Sequence, residues 1–158
     1  LYAGLMIKNN EPYLIEYNVR MGDPECQTIL PRLKNDIMEV LVSSINGELE
    51  NINLSWHESK SLSIVLCSKG YPDKFKNEVE IKNLENLKLK DKDKEFIFHA
   101  GTKMIKDKTF SSGGRVLNFV KQSESYKKSR EDIISLINNL KWENGFYRKD
   151  IGFKAIDK

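Results

Sequence analysis

The chain holds two cysteines and two histidines in 158 residues. Cys26 and Cys67 stand far apart, so they match neither a zinc cluster nor a redox pair. Both read as reduced thiols, and the expected compartment is cytoplasmic. His57 and His99 are equally isolated. No apolar run is long enough to span a bilayer, and no signal-peptide pattern opens the chain, so no membrane partner is expected. Internal repeats and low-complexity segments are absent as well. There is no strong excess of either charge: 26 basic residues against 23 acidic give +3. The two signs are interspersed, as in Asp91-Lys92-Asp93-Lys94, which argues against a nucleic-acid partner. Apolar residues make up 39%, enough for a packed core and too many for a disordered chain.

What the chain does carry is one stretch of unusual chemistry, Glu16-Tyr17-Asn18-Val19-Arg20-Met21-Gly22-Asp23-Pro24-Glu25. It begins at the end of a predicted strand and runs into a loop. Side chains alternate along a strand. Leu14, Glu16, Asn18 and Arg20 are therefore expected on one face, and Ile15, Tyr17 and Val19 on the other, an ordinary core face. Asn is disfavoured in strands, so its place between an acid and an arginine wants a reason. Magnesium takes hard oxygen ligands, few of them from protein, and leaves the rest of its shell to water and phosphate. Glu16 and Asn18 would stand roughly 6–7 Å apart along the strand, close enough for their oxygens to converge on one ion. Arg20, one pleat further, could reach a phosphate held by that ion. The same spacing also fits a solvent-facing strand whose Glu16–Arg20 ion pair is worth little.

Around this stretch the chain alternates strands and helices. Residues 2–7 and 13–19 read as an antiparallel hairpin, joined through Asn9 and Asn10, which tolerate positive φ. Gly22-Asp23-Pro24-Glu25 breaks the second strand, with Asp23 placed to cap a helix that Pro24 opens. Asp23 and Glu25 are equally placed to hold a substrate amine. Residues 35–46 have the spacing of an amphipathic core helix, with Asn35 as cap and Gly47 just past its end. A polar stretch over 48–60, containing Trp56 and a solvated His57, marks the expected domain boundary. Residues 62–67 form a buried strand ending at Ser68-Lys69-Gly70, where Lys69 and a glycine could meet an anion. A short strand over 96–99 ends at His99. A hairpin turning over 106–108 follows, then Ser112-Gly113-Gly114-Arg115, in which free backbone N–H groups and a guanidinium fork suit a phosphate. A strand over 116–120 and a helix over 125–140, capped by Ser125, complete the second unit. In the tail, Tyr147 and Ile151 are expected to dock.

Glu16 to Glu25 resembles the metal-binding strand of the ATP-grasp superfamily. With Gly22-Asp23-Pro24-Glu25 attached, it resembles the phosphoribosylamine–glycine ligase (glycinamide ribonucleotide synthetase) family. Leu1-Tyr2-Ala3-Gly4-Leu5-Met6, Leu30-Pro31-Arg32-Leu33, Ser68-Lys69-Gly70-Tyr71-Pro72, His99-Ala100-Gly101-Thr102, Ser112-Gly113-Gly114-Arg115-Val116 and Tyr147-Arg148-Lys149-Asp150-Ile151-Gly152 read like that family, in its order. The resemblance implies an α+β fold. Residues 1–56 would be the C-terminal part of an ATP-grasp domain, antiparallel strands plus a helix. Residues 57–158 would be a small mixed β/α C-terminal domain.

The resemblance also implies a ligase that uses ATP to join glycine to 5-phosphoribosylamine through a glycyl phosphate, in purine synthesis. Glu16 and Asn18 match the family's ligands for magnesium, or manganese, and Arg20 its phosphate-contacting catalytic arginine. Asp23, Glu25, Lys69, His99 and Arg115 are the expected substrate contacts. The family is considerably longer, and its glycine-rich phosphate flap and adenine pocket have no counterpart here. Leu1 opens directly into an apolar strand. The chain is thus expected to be a C-terminal fragment, inactive alone, whose partner is the N-terminal part of the same enzyme. The alternative is a non-catalytic binding module on an ATP-grasp-derived scaffold.

Overall fold

The computed structural model describes residues 2–156; Leu1, expected at the head of the first strand, lies outside them. The fold opens with an antiparallel hairpin of β1 (Tyr2–Lys8) and β2 (Glu11–Asn18). Asn9 and Asn10 make its two-residue turn, both at positive φ (53° and 63°), the conformation a tight hairpin of this twist requires. From the turn the register runs evenly to Leu5↔Leu14. It then slips by one residue, so that Gly4 faces Glu16 and Tyr2 faces Asn18. Ile15 is the extra residue of this bulge. Cross-strand partners share a face, so Tyr2, Gly4, Glu16 and Asn18 lie on one side. Leu14 lies on the other, against the expectation of an unbroken alternation. The second side is not a core face either, since Ile15, Tyr17 and Val19 are all exposed.

The chain then leaves the hairpin and forms α1 (Glu25–Ile29) and a short 3-10 turn at Leu30–Arg32. Asp23 does not cap α1: Pro24 occupies the cap position, with no side-chain hydrogen bond there. The second helix, α2 (Ile37–Asn46), is capped by Asp36, whose carboxylate accepts from Met38 N at 2.8 Å, rather than by Asn35. Asn35 instead accepts from Ser55 N and donates to Asn53 O. Gly47 ends α2 at φ 73°, as expected. The helix is amphipathic but not core: none of its residues is buried, and Ile45 is 84% exposed. It touches the short 3-10 turn at Leu49–Asn51, and only Val40 and Ser43 along it are half-buried. The stretch after it is less free than its polarity suggests. His57 N donates to Arg32 O, Arg32 donates back to His57 O, and Leu33 bridges Trp56.

The main sheet is antiparallel, in the order β4 (Glu95–His99), β7 (Arg115–Ser123), β3 (Lys60–Ser68), β8 (Gly145–Phe146). Its apolar runs fit central strands covered on both faces. Leu62, Ile64, Leu66, Leu117 and Phe119 line one face, against Ile133, Leu136, Ile137 and Leu140 of α3 (Tyr126–Leu140). Each such side chain contributes on the order of 1.5–3 kcal/mol when fully buried. Ser125 caps α3 by accepting from Lys128 N at 3.2 Å. The segment around α1 covers the other face, where Gln122 donates to Pro31 O at 2.8 Å. A second hairpin, β5 (Thr102–Ile105) and β6 (Lys108–Ser111), turns at Lys106 and Asp107. The tail closes with α4 (Phe153–Ile156), and Tyr147 and Ile151 pack on the core. These antiparallel sheets and helices make an α+β fold. Among the described residues no helix is long and apolar enough to cross a membrane.

Candidate functional site

A cleft of about 660 Å³ lies where the bulged hairpin, the loop after β2 and the start of β7 meet. The bulge sets its floor. Gly4 lies across from Glu16, and a Cβ on Gly4 would sit 3.0 Å from Glu16 Cγ. The missing side chain leaves room for the Glu16 carboxylate to lie over β1. Asn18, half-buried, follows on the same face; β2 ends there, so Arg20 lines the cleft from the bend beyond the strand and not from the next pleat, as its spacing predicts. Arg20 Nη1 donates to Met21 O at 2.9 Å, which uses one of the five N–H donors of a guanidinium.

The loop contributes two more carboxylates. Glu25 folds back over Gly22, where a Cβ would fall 2.3 Å from its Oε2. The pull of the Glu25 carboxylate on the phenol proton, followed by burial and the charges of Glu25 and Glu16, raises the Tyr2 pKa above its ordinary value. Asp23 turns toward the main sheet. Its Oδ2 stands 3.0 Å from Arg115 Nη2, and its backbone oxygen accepts from Arg115 Nη1 at 3.1 Å. Arg115 begins β7 across from Cys67, a half-buried thiol whose pKa burial pushes up while the guanidinium draws it down.

The cleft therefore brings together Glu16, Asn18, Arg20, Asp23, Glu25 and Arg115. Lys69 and His99 lie outside its lining. Lys69 is exposed at the end of β3, its N–H on Asn144 O, and His99 is exposed with its ring 2.8 Å from Thr102 Oγ1. Tyr2 is a cleft residue that strand alternation alone did not single out. Three carboxylates face two guanidinium groups, a balance that favours a cation among anionic ligands. No group of three or more His, Cys, Asp and Glu side chains is placed to hold a metal among the described residues. A metal here would take one carboxylate and one amide oxygen and leave its other positions to phosphate and water. That donor set fits magnesium or manganese.

Residues 61–154 match the family model described as phosphoribosylglycinamide synthetase, C domain, and residues 1–26 match that of its ATP-grasp (A) domain. The phosphoribosylamine–glycine ligase of Caldanaerobacter subterraneus subsp. tengcongensis is 42% identical over 151 residues, 96% of this chain and 35% of its own length. The chloroplastic phosphoribosylamine–glycine ligase of Arabidopsis thaliana is 38% identical over 159 residues, 99% of this chain and 30% of its own. The crystal structure of phosphoribosylamine–glycine ligase from Thermotoga maritima matches with a TM-score of 0.70 at 29% identity, over 94% of this chain and 36% of that one. The chain thus spans about a third of the length of these relatives. The two family models fall in one order along it, and the C-domain model alone covers more than half. The chain belongs to the phosphoribosylglycinamide synthetase family and carries the tail of its ATP-grasp domain followed by its C domain.

Proposed function

We propose that the chain is the C-terminal part of a cytoplasmic, ATP-dependent ligase that joins glycine to 5-phosphoribosylamine in purine synthesis. In that reaction the glycine carboxylate takes the terminal phosphoryl group of ATP, giving glycyl phosphate and ADP. The amine of 5-phosphoribosylamine then attacks the acyl carbon. The bond to phosphate breaks, and the amine gives up a proton. The first step must bring a carboxylate against a triphosphate, two anions that repel. Glu16 and Asn18 would hold magnesium or manganese beside the phosphates. The ion supplies charge that offsets this repulsion. Arg20 adds fixed positive charge at the transferring phosphoryl group. Glu25, in the cleft lining with Tyr2, presents a carboxylate to an amine. Domain division near residue 57 belongs to the same reading. The observation that carries it is that Glu16, Asn18 and Arg20 line one cleft together with Arg115 from the main sheet.

The test is a ligase assay of the full-length protein carrying this segment. Glu16→Ala should lower turnover at saturating glycine by at least about a hundredfold, with the circular-dichroism spectrum unchanged. Activity near wild type in that variant would overturn the assignment. The 158-residue chain alone should show no stoichiometric Mg-ATP binding by calorimetry, because most of the ligase that would grip the nucleotide lies outside it.

A further inference from the structure

Among the described residues, Arg115 is the one side chain of the cleft lining that comes from the main sheet; every other lining residue lies between Tyr2 and Glu25. We infer that Asp23 is a positioning residue that holds the Arg115 guanidinium over the cleft, its free edge turned to the phosphate of a sugar-phosphate substrate. This rests on the ligase reading above and assigns Asp23 a part distinct from contact with substrate.

The geometry carries the inference. Arg115 Nη2 meets Asp23 Oδ2 at 3.0 Å, and Nη1 donates to Asp23 O at 3.1 Å. Carboxylate and carbonyl thus engage two different nitrogens of one planar fork, which fixes its plane as well as its position. Three of its five N–H donors remain for a ligand. The backbone of Arg115 is held independently. A Cβ on Gly101 would fall 2.5 Å from Arg115 O, and one on Gly114 would fall 2.0 Å from the Tyr71 ring. The stem is therefore set by close packing, and the long side chain is what Asp23 has left to fix. Asp23 has little else to bind: Gln27 Nε2 stands at 3.4 Å from its Oδ1, and α1 does not use it as a cap. Both partners are 43% exposed, and pairs so exposed contribute little to stability. An ion pair of small structural value that aims a guanidinium into a cleft is better explained by the cleft.

The experiment uses the full-length protein and two readouts, calorimetric binding of ribose 5-phosphate and ligase kinetics. Asp23→Asn should weaken ribose 5-phosphate about tenfold and raise KM for 5-phosphoribosylamine by a similar factor. KM for ATP, kcat and the melting temperature should stay near wild type. Asp23→Glu should recover part of the loss. The exchange Asp23→Arg with Arg115→Asp should rebuild the pair without restoring ribose 5-phosphate binding. Unchanged binding in Asp23→Asn, a uniform loss across all substrates, or rescue by the exchange would overturn the inference. A wild-type protein that binds ribose 5-phosphate in an Asp23-dependent way but forms no amide would overturn the ligase reading and leave the inference standing. A wild type that ligates but is indifferent to Asp23→Asn would do the reverse. No ribose 5-phosphate binding by wild type would sink the inference outright.

Discussion

Breaking one half of the Glu95–Lys121 pair should cost more than removing both halves. Glu95 is 2% exposed, and the Lys121 side chain is 10% exposed. They face each other directly across β4 and β7, with Lys121 Nζ 3.0 Å from Glu95 Oε1. The other carboxylate oxygen accepts from the backbone N–H groups of Lys90 and Asp91. Glu95→Gln leaves the ammonium of a largely buried lysine facing a neutral amide. Lys121→Met leaves a buried carboxylate without its counter-ion. Each should cost about 3 kcal/mol, toward the low end of what such uncompensated buried charges cost. The double variant keeps an acceptor oxygen for Lys90 and Asp91 and buries no charge. It should lie within about 1–2 kcal/mol of wild type. The coupling energy then comes to about 4 kcal/mol, far above the few tenths that independent sites show. Urea denaturation of all four proteins at constant m-value reads it directly. Single costs below about 1 kcal/mol that simply add would refute the reasoning, because they are the mark of a solvated surface pair.

Two further outcomes follow from the cleft and its walls. Tyr2 should ionise above the ordinary tyrosine value of 10.0, because the Glu25 carboxylate beside it draws on the phenol proton and disfavours the phenolate. The folded state then keeps a proton that the unfolded state releases, so the pair's contribution is complete below pH about 10 and is lost as pH rises through the folded pKa. A phenolate absorbance titration, differenced against Tyr2→Phe, checks this, and Glu25→Gln should bring the value down. In Gly101→Ala, the new Cβ would lie 2.5 Å from Arg115 O and 3.1 Å from Gly113 Cα, backbone on both sides with no rotamer to yield. A loss of about 1–3 kcal/mol in urea denaturation is expected; a neutral variant would show that the loop does not clamp the start of β7.

Elements whose signals are local were readable from the chain. Ser125 three residues before Lys128, the apolar spacing of α3, the unbroken run of β3 and the Lys106-Asp107 turn each act within a few residues. What depends on distant partners was not. The apolar stripe of α2 predicts burial, but a stripe does not say what surface meets it, and here none of its residues is buried. Asp23 has the chemistry of an N-cap, yet its carboxylate goes to an arginine 92 positions away. Glu95 follows a run of alternating charges that reads as solvated loop, and only the β4–β7 register sets Lys121 across from it.

The cleft shows the same limit at the scale of one residue. From the Asn9–Asn10 turn an unbroken register would pair Tyr2 with Tyr17 and Gly4 with Ile15. Tyr2 would then face away from the acid and the amide, and a glycine would be wasted opposite an isoleucine. The extra residue Ile15 shifts the last part of the ladder by one, so Gly4 makes room for Glu16 and Tyr2 reaches Glu25 from beside Asn18. Glu16 and Asn18 share a face with or without the bulge, since they lie on the same side of it. Their pairing was therefore legible from a period of two. The company they keep is set by the bulge, whose placement depends on how two strands settle against each other. The acid-amide pair is a property of β2 alone, and Arg20 joins it from the bend beyond; the cleft around them is a property of the hairpin, the loop and the sheet together.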